Sequence, residues 1–167
     1  MYRNVLAEEF EKALEVPLML IRVSGQEKIL FRADTLPAGV KSSIGRCLLA
    51  HYLEAGKIYH ATKAVVVHGS GNTVKAVKSA VNELAPHLKV VAVVYVETSP
   101  FVKDDLAARG IEVVAQAPRR EGRVGRLSTA ERLCQRERGF VLLEQHEQPL
   151  IVDIQAKTFG RAIVERL

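Results

Sequence analysis

Residues 64–84 have the sequence AVVVHGSGNTVKAVKSAVNEL, and this stretch decides the fold. It opens with residues 64–67, a short β-branched run that is typical of a strand buried on both faces of a sheet. From about residue 73 to residue 85, apolar residues recur at helical spacing. A strand, a glycine-containing turn and a helix in direct succession predict one βα unit of a parallel sheet.

The same alternation continues along the rest of the chain. After this unit, the predicted elements are strands at residues 89–96, 111–115 and 140–143 and helices at residues 100–109, 127–138 and 159–167. Before it, they are a helix at residues 6–14, strands at residues 17–23 and 28–33, and a helix that begins near Lys41 and ends at Gly56. Alternating strands and helices predict an α/β fold, with a mostly parallel sheet, right-handed crossovers and helices on both faces.

Length and composition indicate one ordinary globular domain. The chain has 167 residues, of which 48% are hydrophobic and 26% charged, so it can bury a sizeable core and is neither disordered nor collagen-like. We expect a single domain over residues 1–167, with an N-terminal helix and hairpin at 1–36, the βα units at 37–157 and a C-terminal helix at 158–167.

The sequence predicts no attachment to a membrane. No apolar stretch approaches the roughly 20 residues of a membrane-spanning helix. The amphipathic N-terminus also lacks the apolar core of a signal peptide. We therefore expect a cytoplasmic protein.

Positive charge is concentrated in residues 119–138. The whole chain carries a net charge of +5, and this segment has seven arginines against three glutamates, a net charge of +4. Such a segment can contact nucleic acid or an acidic partner, or it can form the solvated face of a helix. It contains no aromatic residue and no nucleic-acid motif, which favours the solvated helix face.

The spacing of cysteine and histidine predicts no metal site. Cys47 and Cys134 are too few for a disulfide framework and are interpreted as half-buried thiols, although a disulfide between them remains open. The five histidines show no ligand spacing. Among them, His68 adjoins the glycine turn, where it is either a packed side chain or a local acid or base.

The turn at residues 69–73 is the most chemically specific feature of the chain. Its sequence, Gly-Ser-Gly-Asn-Thr, joins the end of a predicted strand to the start of a helix, which is where ligands of α/β proteins bind. Unsatisfied N–H groups at a helix start favour a bound carboxylate or phosphate. The alternative is that Ser70 or Asn72 only caps the helix.

A lysine stands at another predicted helix start. The sequence Pro-Ala-Gly-Val at residues 37–40 precedes Lys41. The positive end of a helix dipole disfavours an ammonium ion there, and so favours the neutral amine that attacks an aldehyde. A lone lysine in such a place is more often a solvated surface charge.

Together, these two helix starts resemble the pyridoxal phosphate enzymes of the cysteine synthase and tryptophan synthase β-chain class, known as fold type II. Those enzymes have Pro-Thr-Gly-Ser-x-Lys-Asp-Arg before one helix and Thr-Ser-Gly-Asn-Thr-Gly before the next. Further matches follow in the family's order at residues 15–18, 53–58, 107–114 and 143–149. The resemblance covers roughly residues 15–165 and implies the fold of the small domain in the N-terminal half of such an enzyme.

The resemblance implies a role for each matching residue. Lys41 would be the catalytic lysine and the covalent anchor of pyridoxal phosphate. Asn72 would bind the 3-hydroxyl group of the cofactor ring. The substrate carboxylate would be held by Ser70, Gly71, Asn72 and Thr73.

The chain departs from the family pattern at several places. The loop before Lys41 is one residue shorter, Ser42 and Ser43 replace an aspartate and an arginine, and Glu144 replaces a glutamine that helps to bind the substrate carboxylate. An ionised Glu144 would repel that carboxylate. The chain also ends near the family's midpoint, before the second domain with its glycine-rich phosphate cup, and the one substitute, residues 122–125, follows no predicted strand.

Three functions are consistent with these observations. The first is a truncated, degenerate cysteine synthase-like half-domain that binds or regulates, is not catalytic alone, and pairs with itself or with a full-length relative. The second is a pyridoxal phosphate-dependent lyase or transferase acting on amino acids, with its missing half supplied by an oligomer or partner chain. The third is an anion or nucleic-acid binder acting through residues 119–138. We favour the first, with a small anion or amino acid as ligand, pyridoxal phosphate weakly held or lost, and neither nucleic acid nor membrane as partner.

Overall fold

The computed structural model describes residues 1–36, 39–69, 71–145 and 149–167. Its strands are β1 (Leu18–Val23), β2 (Gln26–Phe31), β3 (Ala64–His68), β4 (Lys89–Tyr95), β5 (Ile111–Ala117) and β6 (Phe140–Leu142). Its helices are α1 (Tyr2–Glu15), α2 (Lys41–Glu54), α3 (Asn72–Leu84), α4 (Pro100–Ala108), α5 (Gly122–Arg136), α6 (Pro149–Gln155) and α7 (Arg161–Glu165).

Four strands form one parallel sheet in the order β5-β4-β3-β6, which confirms the predicted α/β class. The central strand β3 pairs in parallel with β4 on one side and with β6 on the other. In register, Val66 lies opposite Val91 of β4 and Leu142 of β6. All five residues of β3 are buried, as expected for a strand with a neighbour on each side and helices on each face.

Helices cover both faces of this sheet, and the alternation of side chains in β3 explains how. Val65 and Val67 point into a core that they share with apolar residues of α2, α3 and α4. Ala64 and Val66 point to the other face, where they pack with Ala130 of α5. A helix on each face is why this strand is apolar at every position except its last.

The N-terminal helix and hairpin are added to the outside of this arrangement. Helix α1 packs against α2 and α6 through Val5 and Ile44, and against the C-terminal helical segment through Phe10. Strands β1 and β2 form a separate antiparallel pair. Their turn is shorter than predicted, because Ser24 and Gly25 both take a positive φ and close a two-residue turn.

Two helices differ from the sequence predictions. Helix α5 begins at Gly122, five residues earlier than expected, after β5 has continued to Ala117. A short 3₁₀ helix, Arg119–Glu121, lies between β5 and α5, so residues 122–125 do not directly follow a strand, as predicted. The C-terminal helix is also longer than expected, because α6 and the π-helical residues Ala156–Gly160 lead directly into α7. Pro149 at the first position of α6 is compatible with this helix start, since its missing N–H would be unpaired there.

The two cysteines are free thiols. Cys47 is buried, and burial raises the pKa of its thiol to about 12. Cys134 is half-buried, and burial raises the pKa of its thiol to about 11. Both thiols are therefore protonated and poorly nucleophilic near neutral pH.

Within the described ranges, no helix is both long enough and apolar enough to cross a bilayer. The same residues contain no group of three or more His, Cys, Asp or Glu side chains arranged to hold a metal ion.

Arg46 joins three helices through its guanidinium group. It lies on α2 and is only 9% exposed. Its Nη2 lies 2.6 Å from Glu8 Oε2, and its Nη1 lies 3.2 Å from Glu9 Oε1, both on α1. Its Nε donates to Glu83 Oε2 of α3 at 2.9 Å. Since Glu9 is only 5% exposed, Arg46 and Lys12, whose Nζ lies 2.9 Å from Glu9 Oε1, together neutralise a carboxylate that is largely removed from water.

Arg46→Met is expected to lower the free energy of unfolding by about 1–3 kcal/mol, because it removes one of the two cations that pair with the buried Glu9 and leaves Lys12. The hydrogen bond from Arg46 also lowers the pKa of Glu83, so the part of the stabilisation that comes from Glu83 is present above the ordinary glutamate pKa and is lost as the pH falls through the folded value. The difference between variant and wild type in urea unfolding should therefore shrink from pH 7 to pH 3.

The matched control is Arg22→Met, because Arg22 pairs with Glu27 on the exposed hairpin. This change should cost less than about 0.5 kcal/mol. Equal stability of Arg46→Met and Arg22→Met would contradict the role given to Arg46.

Candidate functional site

The strand order reverses beside β3, and a cleft lies at this point. From β3 the chain runs outward through β4 to β5, and then returns to place β6 on the other side of β3. In parallel sheets, such a reversal leaves a crevice beyond the carboxyl ends of the strands, where ligands bind. The cleft found there has a volume of about 430 Å³. Its lining residues are Lys41, His68, Gly69, Gly71, Asn72, Thr73, Arg126 and Gln145.

The structure places four of the five predicted site residues in this one cleft. Lys41 comes from the start of α2, and Gly71, Asn72 and Thr73 come from the start of α3. Ser70 lies outside the described residues. Two helix starts that are separate in the sequence therefore face the same space.

Lys41 is the first residue of α2 and is half-buried. A turn positions it: Gly39 has a φ of +58°, and its carbonyl accepts the N–H of Ser42 at 3.1 Å. The buried Ser43 hydroxyl donates to the Val40 carbonyl at 3.4 Å. The shorter loop and the serines thus form a local turn that still leaves Lys41 lining the cleft.

The start of α3 is arranged to leave its N–H groups for a ligand. Gly71 is the N-cap residue, and no side chain in the described part of the chain caps this helix. Asn72 is the first helical residue and is exposed, so the alternative in which Asn72 caps α3 is wrong. Thr73 is 8% exposed, which places the second helical residue at the inner end of the cleft. Uncapped N–H groups at a helix start attract anions.

Gly71 keeps a space open in the cleft. A Cβ built at Gly71 meets no atom within 4 Å, apart from its chain neighbours. The absence of a side chain therefore leaves room beside the start of α3 for a ligand.

His68, at the end of β3, and Gln145, after β6, also line the cleft. His68 is fully buried, and its Nε2 lies 3.1 Å from Glu144 Oε2. Gln145 is 7% exposed, and its Nε2 donates to the His68 carbonyl at 3.2 Å. The sequence analysis expected Glu144 to repel a substrate carboxylate. In the structure, Glu144 contacts His68, and the neighbouring Gln145 lines the cleft.

Arg126 is the site residue that sequence analysis did not single out. It was grouped with the arginines of residues 119–138, and three of these on α5 are indeed exposed, namely Arg123, Arg132 and Arg136. Arg126 instead lies beside the buried Gly125 and lines the cleft. Its place four residues before Ala130, on the stripe that faces the sheet, would have indicated this had the start of α5 been predicted correctly.

The residues present fit two parts of pyridoxal phosphate. The Lys41 amine suits the aldehyde, and the Asn72 amide suits the ring hydroxyl, as the resemblance implies. Both line one cleft that has open space at Gly71, and its volume of about 430 Å³ lies within the range of small-molecule pockets.

No protein-family model and no curated protein matches the chain. Solved structures do match it. The O-acetylserine-dependent cystathionine β-synthase from Helicobacter pylori superposes with a TM-score of 0.81 at 22% identity, over 95% of this chain and 53% of that one. O-ureido-L-serine synthase gives a TM-score of 0.80 at 18% identity, over 97% of this chain and 50% of that one.

Cysteine synthase from Entamoeba histolytica gives a TM-score of 0.75 at 16% identity, over 99% of this chain and 49% of that one. The chain thus spans about half the length of the structures it matches. By name, all three are synthases, and one of them is a cysteine synthase, the class that the sequence resembles. The chain therefore has the fold of the cysteine synthase and cystathionine β-synthase class, over about half of the length of those enzymes.

Proposed function

We propose that this chain is a cysteine synthase-like half-domain that binds a small anionic ligand in the cleft, with Lys41 as the anchor for pyridoxal phosphate. We further propose that the 167-residue chain by itself acts in binding or regulation, in the cytoplasm, rather than in catalysis. The observation that carries the proposal is the meeting of the Lys41 amine with the uncapped start of α3 in one cleft.

Each residue has a part in this binding. The Lys41 amine would hold the aldehyde carbon of the cofactor, and the Asn72 amide would orient its ring through the hydroxyl group. The N–H groups at the start of α3, beside Gly71 and Thr73, would hold a carboxylate. When bound, pyridoxal phosphate supplies an electron sink for negative charge at the α-carbon of an amino acid.

Two features support binding rather than catalysis by the chain alone. In the class that it resembles, a second domain holds the cofactor phosphate and the pyridine nitrogen, and this chain spans about half of such enzymes. The cleft is also accessible from solvent, since Asn72 is exposed and Lys41 is only half-buried. Water that reaches a cofactor anchored at Lys41 would release it by hydrolysis.

A second candidate function is an enzyme completed by another copy or by a full-length relative. The hairpin favours it, because Leu20 of β1 is 67% exposed and Ile29 of β2 is 52% exposed, although both are large apolar residues. Isolated two-stranded sheets are marginally stable, which suits a surface that a partner covers. Lyase or transferase activity that appears only in a larger assembly would favour this candidate over the first.

Calorimetric titration with pyridoxal phosphate is expected to show saturable binding. Gly71→Ala should weaken this binding about tenfold, because the new methyl group fills the open space beside the start of α3. The same change should cost less than about 1 kcal/mol in stability, since the added methyl group meets no atom within 4 Å and alanine is only a somewhat poorer N-cap. A melting experiment would show whether the fold is retained.

The matched control is Ser79→Ala, because Ser79 is exposed on the same helix and does not line this cleft. It should bind as the wild type does. Equal binding by Gly71→Ala and Ser79→Ala would remove the cleft from consideration as the ligand site.

A further inference from the structure

The proposal concerns Arg126, and it rests on the proposed function of the cleft. We propose that the Arg126 guanidinium is an oxyanion receptor that makes the cleft selective for phosphorylated ligands. In this arrangement Lys41 and the start of α3 hold one end of the ligand, and Arg126 holds its phosphate.

Arg126 reaches the cleft from a different side than Lys41 does. Helix α5 packs on the face of the sheet opposite to α2 and α3. Arg126 and Lys41 nevertheless line the same cleft, because it opens beyond the carboxyl ends of the strands, where neither face is covered. A ligand in the cleft would therefore lie between two cationic side chains, which suits a molecule with reactive and anionic groups at different ends.

Tyr95 holds the Arg126 side chain in place. Tyr95 is the last residue of β4, and the Arg126 Cζ lies 4.3 Å from the centroid of its ring. Stacking on an aromatic ring fixes the plane of a guanidinium and leaves the N–H groups along its edge directed outward. The planar edge of such a group matches two oxygens of a phosphate.

Arg126 also has a donor that the protein does not use. Its Nε is buried and has no hydrogen-bond partner among the residues that the structure describes. A guanidinium carries five N–H donors and no acceptor, so an oxyanion is the chemical class of ligand that matches it. Buried donors in native proteins are nearly always paired, and a phosphate oxygen is one acceptor that this donor can use.

The charges around Arg126 suit an anion. The described lining of the cleft contains two ammonium or guanidinium side chains, Lys41 and Arg126, and no carboxylate. The Glu144 carboxylate is not part of that lining, and its Oε2 lies 3.1 Å from His68 Nε2. Nothing in the described lining would therefore neutralise Arg126, and an oxyanion is the group that completes the site.

The test compares the affinities of pyridoxal phosphate, pyridoxal and inorganic phosphate, measured by calorimetry. The wild type should prefer pyridoxal phosphate to pyridoxal by between about tenfold and a hundredfold, which is the size of a charge-assisted hydrogen-bond contribution. Arg126→Met keeps the side-chain stem over Tyr95 and removes the donors. It should bind both compounds about equally, and Arg126→Lys should be intermediate because it keeps the charge without the planar edge.

The control is Arg136→Met, which removes the same charge from an exposed position on the same helix. It should retain the wild-type preference. The affinity for pyridoxal depends on Lys41 and not on Arg126. If the wild type does not bind pyridoxal, the result counts against the proposed function of the cleft and not against the role of Arg126. A preference for pyridoxal phosphate that survives in Arg126→Met and Arg126→Lys would overturn the proposal about Arg126.

Inorganic phosphate tests the receptor without any chemistry at Lys41. Its binding should be lost in Arg126→Met and kept in Arg136→Met, and retention in both would overturn the proposal. Competition between inorganic phosphate and pyridoxal phosphate would assign Arg126 to the phosphate of the cofactor. Simultaneous binding of the two would overturn the arrangement in which one ligand reaches from Lys41 to Arg126.

Discussion

Gly45→Ala is expected to destabilise the protein by about 2–3 kcal/mol, although alanine is the better helix former by about 1 kcal/mol. Gly45 lies on α2 at its contact with α3. A Cβ built there would be 2.6 Å from the Ala76 carbonyl carbon and 2.7 Å from the Ala76 Cβ. Because the first of these is a backbone atom, no change of rotamer relieves the clash, and the two helices must move apart.

The same change is expected to weaken ligand binding, because α2 and α3 carry the two sides of the cleft. Lys41 begins α2, and Asn72 begins α3. A separation of the helices at Gly45 would move these residues apart. Binding of pyridoxal phosphate to the folded fraction should therefore fall together with the midpoint of urea unfolding.

Gly71→Ala is the matched control for stability, because it adds the same methyl group where nothing stands within 4 Å. It should shift the unfolding midpoint much less than Gly45→Ala does. If Gly45→Ala unfolds at the same urea concentration as the wild type, the helices are not held at the distance that the structure shows.

Much of the fold could be predicted from local sequence patterns. The apolar run at residues 64–67, the turn after it and the helical spacing beyond it were sufficient for the parallel sheet with helices on both faces. The site residues Lys41, Gly71, Asn72 and Thr73 could be predicted because each lies at a helix start that short motifs identify.

The rest of the site depends on contacts between distant segments. Arg126 was missed because Gly122 and Gly125 made the first turn of α5 look like a loop, and only the helix from Gly122 turns Arg126 toward the sheet. The sequence also did not predict that Gln145, and not Glu144, lines the cleft. This depends on the pairing of β6 with β3, which brings Glu144 to His68. The close approach at Gly45 depends on the packing of two helices and has no local signal.

Lys41→Arg is expected to abolish covalent capture of pyridoxal phosphate. Arginine keeps the positive charge at the start of α2 but has no amine that reacts with the aldehyde. Among the lysines that the structure describes, Lys41 is the one that lines the cleft. Lys75, for example, lies 2.6 Å from Asp105 in an ion pair and does not line the cleft. Capture should therefore concentrate at Lys41, and Lys75→Arg should leave it unchanged.

The most direct measurement is a map of the lysines that borohydride labels after incubation with a limiting amount of pyridoxal phosphate. If the cleft is the ligand site, peptide mass spectrometry of the wild type will find the label mainly on Lys41. The total label will then fall to the level of a surface lysine in Lys41→Arg but not in Lys75→Arg. Label spread evenly over the exposed lysines, with the same total in Lys41→Arg as in the wild type, would contradict the assignment of Lys41 and of the cleft that it lines.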